Sequence, residues 1–365
     1  MSKINIKNEK AKRAFEKYCN DSEGYNNKTI DCYLKSVYAY EEFTKYECFS
    51  KFKDDKAVKF REYLVNTINP ISKQKRALST VYDYLRYLKT FFTWLSNQHG
   101  YKKPINKDHI KCLRLSNEQT AIATAPQRER YPTLEIIQNV VHNMPVNNEI
   151  DRRDRGLMSF ALLSGMRDMS IITLSLNCFD AQLLEVYHDV KAGVKSKFGQ
   201  GHQTYLFPFD SKMVDYIVDW YNYLLKEKLY SLDAPLFPRN KVEQSENSKA
   251  FTCNRFEPEF WKTTTPMREI FKQRFEEAGM EYYSPHCFRH LANHLAKKGC
   301  NSIDEFQAVS QNFGHKHMGT TFSAYGKLPA HQVKDVISGL DFSGKKNKKS
   351  KAEIKKLLKE LIEED

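Results

Sequence analysis

The chain has 365 residues, more than one hydrophobic core ordinarily supports, so two domains with a tail are expected. Hydrophobic residues make up 41%, enough for packed interiors, and this excludes wholesale disorder. The formal net charge of +13 predicts attraction to polyanions, with nucleic acid ahead of a membrane surface.

In chain order, the charged start from Met1 to Phe15 has no apolar run of the kind a signal peptide needs. The first hundred residues read as helices. Thr29 stands where a cap would precede a stripe of Ile30, Tyr33, Leu34, Val37 and Tyr38. Ala57, Phe60 and Leu64 mark a second helix ending before Asn69-Pro70. Ser72 stands at the start of a longer one bearing Leu78, Val81, Leu85, Leu88, Phe92 and Leu95, stopped by Gly100. From Tyr101 to Arg130 the periodicity weakens, and seven basic residues face three acidic ones. The polar run from Ser116 to Gln127 reads as an interdomain linker able to lie along a phosphate backbone.

A second domain is expected from about Tyr131. Pro132-Thr133 opens a helix with Ile136, Ile137, Val140 and Val141. Another, through Leu157, Phe160 and Leu163, is closed by Ser164-Gly165, which places Arg167 just past a helix end. The period then changes. Leu184, Val186 and His188 alternate, as do Thr204, Leu206 and Pro208, and between them Gly193 and Gly199 bracket Lys195 and Lys197. This predicts a small antiparallel sheet with a glycine-rich turn. Ile217, Trp220 and Leu224 restore a helical pattern, Lys241 to Lys249 reads as a loop, and Arg268 to Ala278 as a helix. At the end, a basic run from Gly344 to Lys351 precedes an amphipathic helix, Ala352 to Ile362. A helix that short needs a partner surface, on its own body or on a neighbouring protomer.

No stretch reaches the apolar length of a membrane span. The eight cysteines contain no CxxC pair, so zinc-ribbon and redox motifs are absent and a reducing compartment is expected. A cytoplasmic location follows, nucleoid-associated if the chain binds DNA.

Chemistry concentrates between Ser284 and Tyr325, which hold His286, Arg289, His290, His294, His315, His317 and Tyr325. Arginine forks onto phosphate oxygens, histidine titrates near neutrality, and a phenol can act as a covalent nucleophile. Alone, Arg289 reads as a surface ion-pair partner and Tyr325 as one of 21 tyrosines. Phe288, Leu291, Leu295 and Phe313 read as core. His286, His290 and His294 share helical spacing, but an intervening arginine repels a cation and no HExxH motif is present, so a metal site is not expected.

Taken in order, Gly165-Met166-Arg167, Lys195-Ser196-Lys197, His286-Cys287-Phe288-Arg289, Gly314-His315 and Tyr325 resemble the tyrosine recombinases, also called the phage integrase family. The resemblance spans most of the chain, and five motifs in the right order are specific where each alone is weak. It implies a mainly α fold. A helical core-binding (SAM-like) bundle is expected over residues 1–115, a basic linker over 116–130 and a mostly helical catalytic domain with a small antiparallel β-sheet over 131–335. Residues 336–365 would form a basic tail and C-terminal amphipathic helix. It also implies a site-specific recombinase or integrase, of a mobile genetic element, that cuts and rejoins DNA through a covalent 3′-phosphotyrosine.

Arg167 and Arg289 would hold the phosphate, Tyr325 attack it, His286 take the phenolic proton, His315 assist at the phosphoryl group and Lys197 protonate the leaving oxygen. Lys195 is the reserve for that last role. Neither metal, ATP nor another cofactor is required, since the arginines stabilise the charge and the covalent bond conserves the energy of rejoining. The partners implied are double-stranded DNA with a specific site, a homo-tetramer on two such sites, and DNA-bending accessory proteins. Lys102, Lys103, Lys111, Arg114 and Lys195 are further candidates for DNA contact.

The sequence departs from the family pattern at Ser170, where many members carry an acid, while Asp168 directly follows the arginine. Phe313 replaces the usual leucine before Gly-His, a change of volume expected to be tolerated. Two rival readings use the same residues: a catalytically inactive DNA-binding or architectural protein, and a type IB topoisomerase-like relaxer.

Overall fold

The computed structural model describes residues 4–68, 73–125, 131–189, 193–195, 201–244, 251–314 and 330–340. The chain divides into two compact units, Met1–Arg128 and Glu129–Asp365.

Among its described residues the first unit is mainly helical: α1 (Ile6–Asp21), α2 (Asn27–Phe43), α3 (Asp54–Asn66), α4 (Leu78–Leu95), α5 (Lys107–Ile110) and α6 (Asn117–Thr124). Asn5 and Asn26 cap the first two helices by accepting backbone N–H groups, so the second cap lies three residues ahead of Thr29. The interior is largely aromatic. Phe15, Tyr40, Phe49, Phe52, Phe60, Phe91 and Phe92 are all fully buried, and Phe52 stacks on Phe92 with ring centres 4.0 Å apart. One charged pair shares that interior. Lys12 Nζ lies 2.6 Å from Glu41 Oε2, while Asn8 donates to the other carboxylate oxygen at 2.9 Å. The charged start of the chain is therefore a packed helix, its lysine paired inside the bundle.

Three expectations change here. Helix α4 opens at Leu78, beyond an antiparallel bridge between Ile68 and Lys75, and Ser72 lies outside the described residues. Tyr38 points outward, half exposed, with Lys12 Nζ over its ring, while Tyr40 takes the buried place. Part of the polar run after Leu115 is α6, started by a reciprocal Ser116–Gln119 capping box and packed on α4. Residues 126–130 lie outside the described ones.

The second unit is built on α8 (Glu149–Ser164), which packs against α7 (Leu134–His142), α10 (Ser211–Asn222) and α12 (Pro285–Gly299). Surrounded in this way, α8 buries every residue from Gly156 to Ser164. Gly156 admits Trp220 of α10, because a Cβ there would lie 3.1 Å from the tryptophan's own Cβ. Short helix α9 (Asp168–Ile171) follows α8. Strands β1 (Phe179–Asp180), β2 (Glu185–Tyr187) and β3 (Gln203–Tyr205) form an antiparallel sheet in that order, with Val186 opposite Thr204. Helix α11 (Thr265–Glu277) is tied to α8 by buried charges: Arg274 Nη2 lies 2.7 Å from both Asp151 and Asp154. Helices α13 (Ile303–Asn312) and α14 (Ala330–Ser338) pack together, placing Val333 and Ile337 in a small core with Ala308 and Val309.

The expected loop over Lys241 to Lys249 is corrected. Strands β4 (Arg239–Gln244) and β5 (Phe251–Glu257) pair antiparallel across it, with residues 245–250 outside the described ones. Polar composition hid the hairpin because its stability is cross-strand: Arg239 Nε lies 2.6 Å from Glu257, and Phe256 packs against Trp220. The Gly344–Lys351 run and the Ala352–Ile362 helix lie outside the described residues. Among those described, no helix is long and apolar enough to cross a membrane.

Candidate active site

The site begins where α8 ends. Gly165 caps the helix in the left-handed conformation (φ +57°), and a Cβ there would sit 2.3 Å from Phe313. Both the turn and the close approach require glycine at this position. The turn delivers Arg167 as the residue that opens α9.

Arg289 reaches the same turn from α12, 124 positions along the chain. Its Nη1 donates to the Gly165 carbonyl at 2.6 Å, and its Nη2 donates to the Phe313 carbonyl at 2.9 Å. Its guanidinium carbon lies 5.0 Å from the centre of the Phe313 ring. The phenylalanine that replaces the usual leucine is thus both buried and a platform for the arginine. Burial, and then the like charge of Arg167, push the Arg289 pKa down to about 9. Burial also lowers that of Arg167. Two cations held in each other's field, in a poorly solvated place, form a strong site for an anion.

His286 stands on the first turn of α12, edge-on to His290 with ring centres 4.4 Å apart. Its pKa is lowered, chiefly by burial and then by His290 and Arg289, with a smaller contribution from Arg167 that Asp168 outweighs. A neutral imidazole that can accept a proton results. Asp168 itself meets Arg268 of α11 at 2.9 Å. Ser170 donates to the Lys195 carbonyl at 2.9 Å, and Thr173 Oγ1 accepts the Lys195 N–H at 3.0 Å. The backbone of exposed Lys195 is thereby fastened to the segment that presents Arg167, and the serine standing in for an acid does part of the fastening.

Arg167, Arg289 and His286 are therefore gathered in one place, with Lys195 anchored to its edge. Lys197, His315 and Tyr325 lie outside the described residues, as does His317. The His294 ring lies 5.3 Å from that of Tyr131. Lys102, Lys103, Lys111 and Arg114 are exposed in the first unit, Lys111 with its ammonium 2.7 Å from Asp108. Among the described residues no group of three His, Cys, Asp or Glu side chains could hold a metal ion.

Sequence reading missed the polar residues behind the arginines. His188 was visible only as a strand position. His202, Thr204 and Asn312 carried no motif, because what joins them is strand pairing and the docking of α13.

A model described as the phage integrase family matches residues 133–331, more than half of the chain. No curated protein matches it. Among solved structures, the chain is similar to lambda integrase residues 75–356 as a dimer bound to a COC′ core site. The identity there is 14%, over 85% of this chain and 95% of that one, with a TM-score of 0.55. A lambda integrase tetramer bound to a Holliday junction gives 14%, 87% and 79%, with a TM-score of 0.54. The XerH site-specific recombinase bound to its difH substrate, a pre-cleavage complex, gives 15%, 85% and 80%, also at 0.54. At such identities the likeness is one of fold: a mostly helical chain with small antiparallel sheets.

Proposed function

Because this chain belongs to the phage integrase family, we propose that it is a site-specific DNA recombinase, serving a mobile genetic element, that breaks and rejoins strands through a phosphotyrosine. The observation that carries this reading is the pair Arg167 and Arg289. They come from distant segments, yet Arg289 Nη1 donates at 2.6 Å to the carbonyl of Gly165 in the turn that carries Arg167, and the Arg167 charge adds to burial in lowering the Arg289 pKa.

A phosphodiester between them would find both of its nonbridging oxygens facing guanidinium N–H donors. Charge gathering on those oxygens during attack would be stabilised as in an oxyanion hole. In the step proposed, Tyr325 Oη bonds to phosphorus as the P–O5′ bond breaks, leaving a 3′-phosphotyrosine and a free 5′-hydroxyl. The phenolic proton passes to His286, whose lowered pKa keeps it neutral and receptive. Lys197, or Lys195 in its place, gives a proton to the departing oxygen, and His315 hydrogen-bonds the phosphoryl group. Residues 1–115 would act as the core-binding domain and 131–335 as the catalytic domain. Assembly as a tetramer on two DNA sites is proposed by analogy with the lambda integrase tetramer on its junction.

The test is covalent capture. The full chain is incubated with sheared DNA from its source, unbound DNA is stripped in denaturant, and the DNA retained on the protein is sequenced. A single recurrent sequence, retained by the wild type and absent with Tyr325→Phe, is the expected result. Salt-sensitive binding with no covalent DNA would favour the architectural reading, and adducts at random sequences the relaxing enzyme.

A further inference from the structure

We propose that His188 and His202, stacked where β2 ends and β3 begins, are positioning residues. They lock that end of the sheet to the turn, Asn312 to Gly314, that holds Arg289. The proposal rests on the recombinase reading above and adds to it a group of residues outside the motifs.

His188 follows β2 and His202 precedes β3. The His188 N–H donates to the His202 carbonyl at 2.9 Å, and the two rings stack with centres 3.6 Å apart. From this base, contacts run directly to the end of α13. His188 Nε2 lies 3.1 Å from Thr204 Oγ1, and Thr204 Oγ1 donates to the Asn312 carbonyl at 2.9 Å. The Asn312 side chain closes the edge of β3, accepting from the Tyr205 N–H at 2.7 Å and donating to the Tyr205 carbonyl at 2.9 Å. The next residue, Phe313, gives its carbonyl to Arg289. After it comes Gly314 (φ +61°), pressed so closely on the second imidazole that a Cβ would lie 2.6 Å from His202 Nε2.

The direction of the protons follows from what each group can do. A carbonyl only accepts, so the single hydroxyl proton of Thr204 goes to Asn312, and His188 must donate from Nε2. Its Nδ1 keeps a lone pair, buried and without a hydrogen-bond partner among the described residues. His188, Thr204 and Asn312 are 3%, 0% and 1% exposed, so misaligning any of them strands a polar group away from water. Burial, then His202, Arg289 and Arg167, push the His188 pKa down to about 3, so the ring stays neutral and its donor stays in place. None of these side chains is among those assigned above to the phosphate. The arrangement sets where the β2–β3 end, the turn from Asn312 to Gly314 and Arg289 stand relative to one another.

The experiment uses the full chain and a nicked duplex bearing the sequence captured on Tyr325. Single-turnover adduct formation, duplex affinity, melting temperature and hydrogen exchange over residues 309–314 are followed. His188→Leu and the isosteric Thr204→Val should each slow adduct formation about tenfold or more while duplex affinity changes by less than about threefold. Exchange over 309–314 should quicken in both. The double variant should be no slower than the slower single one, because both cut the same chain of contacts. His188→Gln, which keeps an N–H near the Nε2 position, should recover most of the rate.

Adduct formation within about twofold of wild type in Thr204→Val, or unchanged exchange in that variant, would overturn the lock. So would a glutamine variant no better than the leucine one. If wild type forms no adduct at all, it is the recombinase reading that fails, and exchange on the DNA-free protein still decides the lock.

Discussion

Helices α11 and α12 each carry a buried arginine, Arg274 being 4% exposed and Arg289 8%. Arg274 lies among Asp151, Asp154 and Glu277, which hold its pKa above the usual value although burial opposes them. Arg289 rests on the carbonyls of Gly165 and Phe313, and burial and then Arg167 drive its pKa the other way. The same side chain thus does two jobs. At Arg274 the charge is compensated inside the protein and fastens α11 to α8. At Arg289 positive potential is concentrated beside a second cation, where a bound anion would relieve it.

The contrast makes the largest expected effect one of stability. Arg274→Met should cost about 3–5 kcal/mol, because it leaves Asp151 buried without this cation and Asp154 with Arg153 alone. Arg289→Met removes a cation that burial disfavours together with its hydrogen bonds to the Gly165 and Phe313 carbonyls, two opposing effects, so its urea midpoint should fall by clearly less than that of Arg274→Met. Equal losses in the two variants would erase the distinction. Arg289→Lys probes the other half: with the fork gone, adduct formation should fall by about 10²–10³-fold in a protein that still melts cooperatively. A lysine variant of normal rate would mean that the guanidinium geometry at Arg289 is irrelevant to the chemistry.

The two arginines also show how far a sequence can be read. Arg289 was legible because it sits in a motif, His286-Cys287-Phe288-Arg289, and Arg167 because Ser164-Gly165 announces a helix end. The stripes of α3, α8 and α10 were legible because a buried face repeats every three to four residues. Arg274 and Lys12 look in sequence like surface charges, and only their partners, dozens of positions away, permit burial. The β4–β5 hairpin escaped for the same reason, since its pairing of Arg239 with Glu257 has no local pattern. Periodicity reports burial of apolar faces. It says nothing about polar groups that satisfy one another across the fold.

A smaller effect is expected at the turn that carries Arg167 and holds Arg289. Gly165→Ala (φ +57°) puts a methyl 2.3 Å from Phe313 in a left-handed backbone, whereas Gly24→Ala has a similar φ of +63° and no atom within 4 Å. The first should cost about 1–3 kcal/mol and the second only the backbone part, about 1 kcal/mol. Because the Gly165 carbonyl holds Arg289, only the first should also slow adduct formation. Equal thermal shifts in the two variants would show that the Phe313 contact is yielding and the turn is not a fixed part of the site.

The smallest effect, and the one that tests the electrostatics most directly, is the titration of His286. Its pKa is lowered in the folded protein by burial and by neighbouring positive charge, while in the unfolded chain it takes the ordinary value of about 6.5. As pH falls through that value the unfolded chain gains a proton that folded His286 resists, so stability present above it is lost on acidification. The slope from this one group stays below about 1.4 kcal/mol per pH unit. Other histidines titrate as well, so the informative quantity is wild type minus His286→Gln, measured by urea unfolding from about pH 7.5 down to about pH 5. That difference should fall as the solution is acidified. Parallel curves would mean that His286 feels neither the burial nor the guanidiniums. Adding an Arg167→Gln background should flatten the difference only slightly, because that charge is the smallest of the named contributions to the lowering.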